Sequence, residues 1–335
     1  MPGQNAKIAE KKTTTSLLRS WLELLRLPNL LTIPGDVALG YLIAERANHA
    51  RLDLLLGFDL TKGKFESTGF IWATVATIAL YIFGLVDNDA SDAELDAKER
   101  PERPIPSGKI SLKTAKTAAI AFMAAGLIAA FGAPKPTFHV AIILAILVYS
   151  YNNATKRNRL LGPLNMALCR LFSVILGYFA ANGRHPLQEP ALLVVGMTWL
   201  LYFTAVTMAA AGENDKKRSE GRFTILGVPF LWLATAPLAT GALEVVRKVG
   251  EIPPSIFLAF AASIIFLAIS MKNFIVFNSP NASTTKSRAA VGELVRSIIL
   301  IQSAGTAFLG YPYVALTLLL LWPVSSYASK WFQSS

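Results

Sequence analysis

Ten apolar stretches run through the chain, at roughly 29–45, 69–87, 115–133, 137–151, 162–182, 190–211, 223–243, 254–275, 294–310 and 313–330. A bilayer core takes about 20 mostly apolar residues per helix, so each stretch reads as a candidate span, the fourth and ninth being short. Ahead of the first, Lys7, Lys11 and Lys12 precede an amphipathic run through Leu17, Leu18, Trp21, Leu24 and Leu25, with no small-residue cleavage site. That pattern predicts a cytoplasmic segment, 1–28, carrying an interfacial helix, and not a secretory signal. No loop reaches the roughly 50 residues an independent domain needs, so 29–335 reads as one all-α, polytopic membrane bundle of nine to ten transmembrane helices.

Composition sharpens this picture. Of 335 residues, 53% are hydrophobic and only 16% charged, yet the net charge is +11. Such an oily chain is not disordered, and its basic residues are not those of a polar nucleic-acid-binding domain. With the N-terminus placed inside, about 21 Lys and Arg fall in cytoplasmic loops against about eight outside, which predicts a cytoplasmic N-terminus. One cysteine, Cys169, and three scattered histidines exclude a disulfide framework and a Cys or His metal site.

The chemistry gathers where the second span ends, in Val86-Asp87-Asn88-Asp89-Ala90-Ser91-Asp92-Ala93-Glu94-Leu95-Asp96. Asn88, Asp92 and Asp96 stand at i, i+4 and i+8, one stripe of a helix, with Asp89 at its edge. Carboxylates at a membrane boundary are expensive unless they face water or bind a cation. Hard oxygens of this kind suit Mg²⁺, which keeps several waters and bridges to substrate phosphates. Pro101, Pro104 and Pro106 follow, predicting an extended, stiff loop that holds Arg100, Arg103 and Lys109 over the acids, with a turn at Ser107-Gly108. Acids for a metal beside Arg and Lys clamps suit a diphosphate leaving group.

The run from Asn88 to Ser111 resembles the first aspartate-rich motif of the UbiA superfamily of membrane prenyltransferases, an N-D-x-x-D-x-x-x-D followed by R-P-x-P-S-G. Leu25-Arg26-Leu27-Pro28-Asn29 resembles the start of that family's first helix, which implies that Asn29 faces the active site. Tyr149-Ser150 with Lys156-Arg157 resembles the motif after its fourth span, which gives Lys156 to the diphosphate. Gly162-Pro163-Leu164-Asn165-Met166 through Cys169-Arg170 is similar to the start of its fifth helix, and several details are most similar to the UbiA-like branch encoded in ebo gene clusters. The resemblance implies two four-helix halves around a central cavity, each half carrying one acidic loop. It implies Mg²⁺-dependent transfer of an isoprenoid chain from a prenyl diphosphate to an aromatic or other small acceptor, with membrane lipid beside the prenyl groove. A bacterial inner membrane is the expected location.

The second loop of the resemblance falls at Gly212–Arg222 and departs from the usual D-x-x-x-D: Lys217 stands four after Glu213, and Ser219 four after Asp215. Glu213 and Asp215 are its best metal-side candidates and Lys217 a candidate diphosphate contact; alternatively the loop has lost metal binding. Inside the first span, Asp36 is either an acceptor-orienting or basic group, or a structural carboxylate freed to bond by Pro34-Gly35. Arg170 reaches acceptor or diphosphate, or snorkels to the interface. Trp199, Tyr202 and Phe203 read as packing. A transporter, or a non-catalytic protein binding an isoprenoid lipid, would share the bundle, but a transporter would place its polar residues at the midplane rather than at one face.

Overall fold

A computed structural model describes residues 17–49, 67–211, 222–279 and 283–332. Among them there is no strand. Helices occupy all ten expected stretches: α3 (Ile33–His49), α4 (Ser67–Ser91), α6 (Leu112–Ala130), α7 (Lys135–Ser150), α8 (Leu161–Ala180), α9 (Pro190–Ala211), α10 (Arg222–Ala239), α12 (Pro254–Asn278), α13 (Thr284–Phe308) and α14 (Pro312–Phe332). Short helices join them: α1 at 17–24, α2 (Leu27–Leu30), α5 (Ala93–Glu99) and α11 (Ala242–Val249). Seven helices, or eight counting a bent pair, are long and apolar enough to cross a bilayer.

That number is below the nine to ten expected, and α13 and α14 make the difference. Helix α13 begins ten residues before the expected position. Ser283 caps it, its hydroxyl accepting from the Lys286 amide at 3.3 Å, and the first turns carry Lys286, Arg288, Glu293 and Arg296. Its last twelve residues, Ser297–Phe308, are all buried, so this helix is an internal post more than a lipid-facing span. The seventh stretch is also not one rod. It breaks at Thr240-Gly241, where Gly241 has φ 67°, and the two pieces meet at 49°. Thr240 Oγ1 turns back to the Ala236 carbonyl at 2.8 Å, which ends the ladder before a polar, amphipathic α11.

The helices close a ring in which α3 touches both sides: it packs against α4, α8, α9 and α13. Between lipid-bathed helices, close backbone approach replaces the hydrophobic drive of a soluble core. Helices α3 and α8 use it twice, since a Cβ on Gly40 would strike the Val174 carbonyl and one on Gly177 the Val37 carbonyl. The outer faces present Ile128, Ile146, Phe257, Ile275 and Leu320, an apolar surface suited to acyl chains and not to water.

At the α1 end of the bundle Leu24 is buried with Ile82, Phe83 and Val86 of α4, while Leu17 and Leu18 stay exposed. The proline-rich segment 101–110 is not extended. It coils into consecutive turns, with Ser107 N bonded to Arg103 O at 2.9 Å, Gly108 N to Ile105 O at 3.0 Å and Ile110 N to Pro104 O at 3.0 Å. Burial of Ile105 and Ile110 against Val86, Ala90 and Ala115 pulls it inward, which proline spacing alone does not reveal.

Candidate active site

Helix α4 runs its i→i−4 ladder almost without interruption into α5. Asp92 sits between them at φ −91°, ψ 0°, yet its N–H still reaches Asn88 O at 3.0 Å, Asp96 N reaches Asp92 O at 2.8 Å, and Arg100 N reaches Asp96 O at 2.7 Å. The predicted stripe of Asn88, Asp92 and Asp96 is therefore present on the backbone. Its side chains divide between two cations. Lys156 Nζ lies 2.7 Å from Asp92 Oδ1 and 3.4 Å from Asn88 Oδ1. Arg103 Nη1 lies 2.7 Å from Asp96 Oδ2 and 3.7 Å from Asp89 Oδ1.

Lys156 reaches this place because α7 ends in a π turn, Tyr151–Thr155, that carries the chain back over α4. Asn152 Nδ2 donates to Gly84 O and to Asp87 Oδ2, both at 2.9 Å, and Asn153 Nδ2 to the same Asp87 oxygen at 3.1 Å. Asn165 of α8 ties the turn from the other side: its amide oxygen accepts from Tyr151 N, Ser150 Oγ and Thr155 Oγ1, and its nitrogen donates to Leu147 O.

One further residue joins that the spacing argument left aside. Arg26 Nη2 bonds Asp89 Oδ1 at 3.1 Å from the α1–α2 corner, where Arg26 is left-handed (φ 46°, ψ 52°). A non-glycine residue held there is unusual and signals a constraint at a site. The motif Leu25–Asn29 already contained it, but only Asn29 was singled out; Asn29 is half-buried, and its carbonyl accepts from the Thr32 amide and hydroxyl. Lys109 is exposed and takes no ion pair among the described residues. Arg100 makes no side-chain bond there either. Partial burial first, then the neighbouring Arg103 and Arg288 guanidiniums, push it below the usual arginine range, with Asp96 opposing.

The donor set is oxygen only, as Mg²⁺ prefers, and an ammonium already bridges the Asn88 and Asp92 oxygens as a cation would. No group of three Asp, Glu, His or Cys converges among the described residues. The remaining ligands would be water and substrate oxygens, which is usual for this ion. Glu213, Asp215 and Lys217 lie outside the described residues.

A second polar cluster lies within the bundle. Asp36 is fully buried and Arg170 nearly so, Nη2 standing 2.8 Å from Asp36 Oδ2 but out of line for a hydrogen bond. Trp199 Nε1 donates to Asp36 Oδ1 at 3.0 Å and Gln302 Nε2 at 2.6 Å, Gln302 also reaching Thr32 O. Arg170 Nη1 takes Thr32 Oγ1 at 3.1 Å, and its guanidinium lies over the Phe203 ring at 4.9 Å. Asp36 and Arg170, read separately in the sequence, are thus one pair, and Trp199 is its hydrogen-bond donor and not packing alone. Half-buried Tyr81 lies in the electrostatic field of Arg26, Asp36 and Arg170 together, between the two clusters.

Residues 55–225 match the UbiA prenyltransferase family. The digeranylgeranylglyceryl phosphate synthase of Sulfolobus acidocaldarius is 26% identical over 292 residues, covering 83% of this chain and 96% of that one. The synthase of the same name from Methanopyrus kandleri is 31% identical over 224 residues, 67% and 70% of the two chains. A UbiA homolog from Archaeoglobus fulgidus superposes with TM-score 0.54 at 15% identity over 89% of this chain and 99% of its own, and its form bound to GPP and Mg²⁺ with 0.50 at 16%, over 84% and 99%. Fold, motif and matched length agree that this integral membrane protein belongs to the UbiA prenyltransferase family.

Proposed function

We propose that this prenyltransferase moves an isoprenoid chain from a prenyl diphosphate to a small acceptor of the glyceryl phosphate type, with Mg²⁺ required. The acceptor class follows the names of the two synthases above; an aromatic acceptor has no support from them. The observation that carries the reading is the pairing of Asn88 and Asp92 with Lys156, beside Asp89 and Asp96 with Arg26 and Arg103. Each acid is offered together with a cation that can change partner when a diphosphate arrives.

Asn88, Asp92 and Asp96 are assigned to Mg²⁺, which when bound neutralises the departing diphosphate. Lys156 and Arg103 would leave their carboxylates for diphosphate oxygens, exchanging one charge-assisted bond for another. Arg100 and Lys109 stand nearby on the turns. Cleavage of the allylic C–O bond leaves the electron pair on the diphosphate and a carbocation on the chain, and the apolar helices keep water from it. The acceptor oxygen then forms the new bond and gives its proton to an oxygen of the released diphosphate. Asp36 is assigned to orienting: Trp199 and Gln302 hold its Oδ1, and the Arg170 guanidinium stands 2.8 Å from its Oδ2. The cytoplasmic side is favoured for the acids by the bias of Lys and Arg. The relatives above are archaeal, so the location is left at a cytoplasmic membrane and not a bacterial one.

The test is release of diphosphate by the full chain in lipid nanodiscs supplied with geranylgeranyl diphosphate and geranylgeranylglyceryl phosphate. Wild type should turn over with Mg²⁺ and stop with EDTA, and the Asp92→Ala/Asp96→Ala double variant should be inactive while folded. Undiminished turnover by the double variant sinks the assignment. Donor binding without any turnover would instead favour a non-catalytic isoprenoid-binding protein.

A further inference from the structure

Tyr81, Leu85, Asn88 and Asp92 stand at i, i+4, i+7 and i+11 along α4 and its continuation. At 100° per residue they share an arc of about 60°. All four are half-buried. Exposed Ile71, Trp72 and Val75 lie about 80–180° round the helix from Tyr81. The stripe therefore looks into the bundle, where α4 packs against α3 and α8. Leu80, Ile82, Phe83 and Val86 around it are buried in core packing, whereas Tyr81 and Leu85 join neither core. A tyrosine and a leucine left half-buried and unpacked between two packed cores mark an open space, because interiors are otherwise filled. Asn88 and Asp92 stand at the upper end of that space.

Tyr81 is seven residues deeper than Asn88, about 10 Å along the helix axis. Arg26, which bonds Asp89, acts on it electrostatically from one side, and Asp36 and Arg170 from the other. The polar groups of those neighbours are already engaged: Arg26 with Asp89, Arg170 with Thr32, and Asp36 with Trp199 and Gln302. The Tyr81 hydroxyl makes no hydrogen bond among the described residues and is not enclosed. A phenol inside a protein usually finds a partner, since an unmet O–H forfeits the bond that water would give it.

We propose that Tyr81 is a catalytic residue of the transfer, its O–H donating to the free hydroxyl oxygen of the acceptor and holding that oxygen below the diphosphate. A neutral phenol on this stripe suits a neutral hydroxyl, while the charged ends of the substrates have Lys156, Arg103 and Arg26 above it. One lone pair of the acceptor oxygen takes the tyrosine hydrogen bond. The other forms the bond to the allylic carbon once the carbon–diphosphate bond has broken, and the acceptor's proton passes to a diphosphate oxygen. Holding the oxygen in line also decides that the acceptor, and not a stray water, captures the carbocation. This rests on the reading that the chain is a prenyltransferase with a hydroxyl-bearing acceptor.

Tyr81→Phe removes a single oxygen that bonds no protein group, so the variant should fold as wild type does. Isothermal titration would use the full chain in detergent with three probes: geranylgeranylglyceryl phosphate, its analogue with hydrogen in place of the free hydroxyl, and geranylgeranyl diphosphate with Mg²⁺. Wild type should prefer the hydroxyl form to the deoxy form by about two- to tenfold, and Tyr81→Phe should bind the two alike. Affinity for the diphosphate should not change. In turnover, Tyr81→Phe should release a larger share of diphosphate as free prenyl alcohol, the product of capture by water, than wild type does. A Tyr81→Phe protein that keeps the wild-type preference for the hydroxyl overturns the proposal, as does one that loses diphosphate affinity instead. Either result beside normal wild-type turnover leaves the prenyltransferase reading standing while this one falls. Absence of wild-type turnover removes both.

Discussion

At the scale of single residues, the site is a set of acids already answered by cations. Lys156 bridges Asp92 and the Asn88 amide oxygen, as Arg103 bridges Asp96 and Asp89. Removing one preorganised donor at a developing anion typically lowers turnover by about 10²–10³-fold. Lys156→Met should show a loss of that order in kcat for diphosphate release, with unchanged thermal unfolding; an undiminished kcat would remove Lys156 from the chemistry. Inside the bundle, Trp199→Phe keeps an aromatic ring but deletes the N–H donated to buried Asp36 along with part of the indole's volume. A hydrogen bond to a charged group contributes about 1.5–3 kcal/mol, so the unfolding midpoint in detergent should fall measurably. Such roles differ in legibility. Asn88, Asp92 and Asp96 could be found because local spacing puts them on one stripe. Trp199 and Gln302 both meet Asp36, 163 and 266 residues away, and a 3.6-residue period does not say which neighbouring helix a side chain meets. Arg26 stood in plain view in a recognised motif, but only its left-handed backbone and its reach to Asp89 single it out.

Helices and turns follow their own logic. Apolar length alone located every long helix, since ten stretches became ten helices. Their ends depended on contacts that a hydropathy pattern lacks: Ser283 starting α13 early, Thr240-Gly241 breaking the seventh stretch, and buried Ile105 and Ile110 coiling a proline-rich segment that prolines alone suggest is straight. Helices α3 and α8 cross with a close backbone approach. Gly177→Val would drive a side chain into the Val37 backbone, which cannot yield as a flexible side chain does. Overpacking of this kind costs about 1–3 kcal/mol and should separate Asp36 from Arg170. Loss of activity together with lowered thermal stability is expected, whereas a fully active and equally stable Gly177→Val protein would show that this approach is not needed. Ser111, whose hydroxyl accepts from Thr114 N at 3.0 Å, starts α6 and thereby ends the turns of the site. Ser111→Ala should lower stability by about 1 kcal/mol without altering Mg²⁺ dependence, measured by unfolding and by metal titration.

The molecule as a whole is a bundle of helices whose outer faces are oily. The expected sidedness, with Lys and Arg in excess in the cytoplasmic loops, is open to direct test. A reporter fused at the C-terminus should be found in the cytoplasm if both α13 and α14 cross, and outside if only one does, which decides the parity that helix composition leaves open. The fully buried pair of Asp36 and Arg170 has a consequence for how the chain is made. These residues lie 170 − 36 = 134 positions apart, so α3 leaves the ribosome long before α8. A lone carboxylate within a membrane span resists partition into lipid. The first span is therefore expected to settle in the bilayer only once the fifth delivers its guanidinium, so that α3 to α8 would enter as one cohort before the second half of the protein is synthesised.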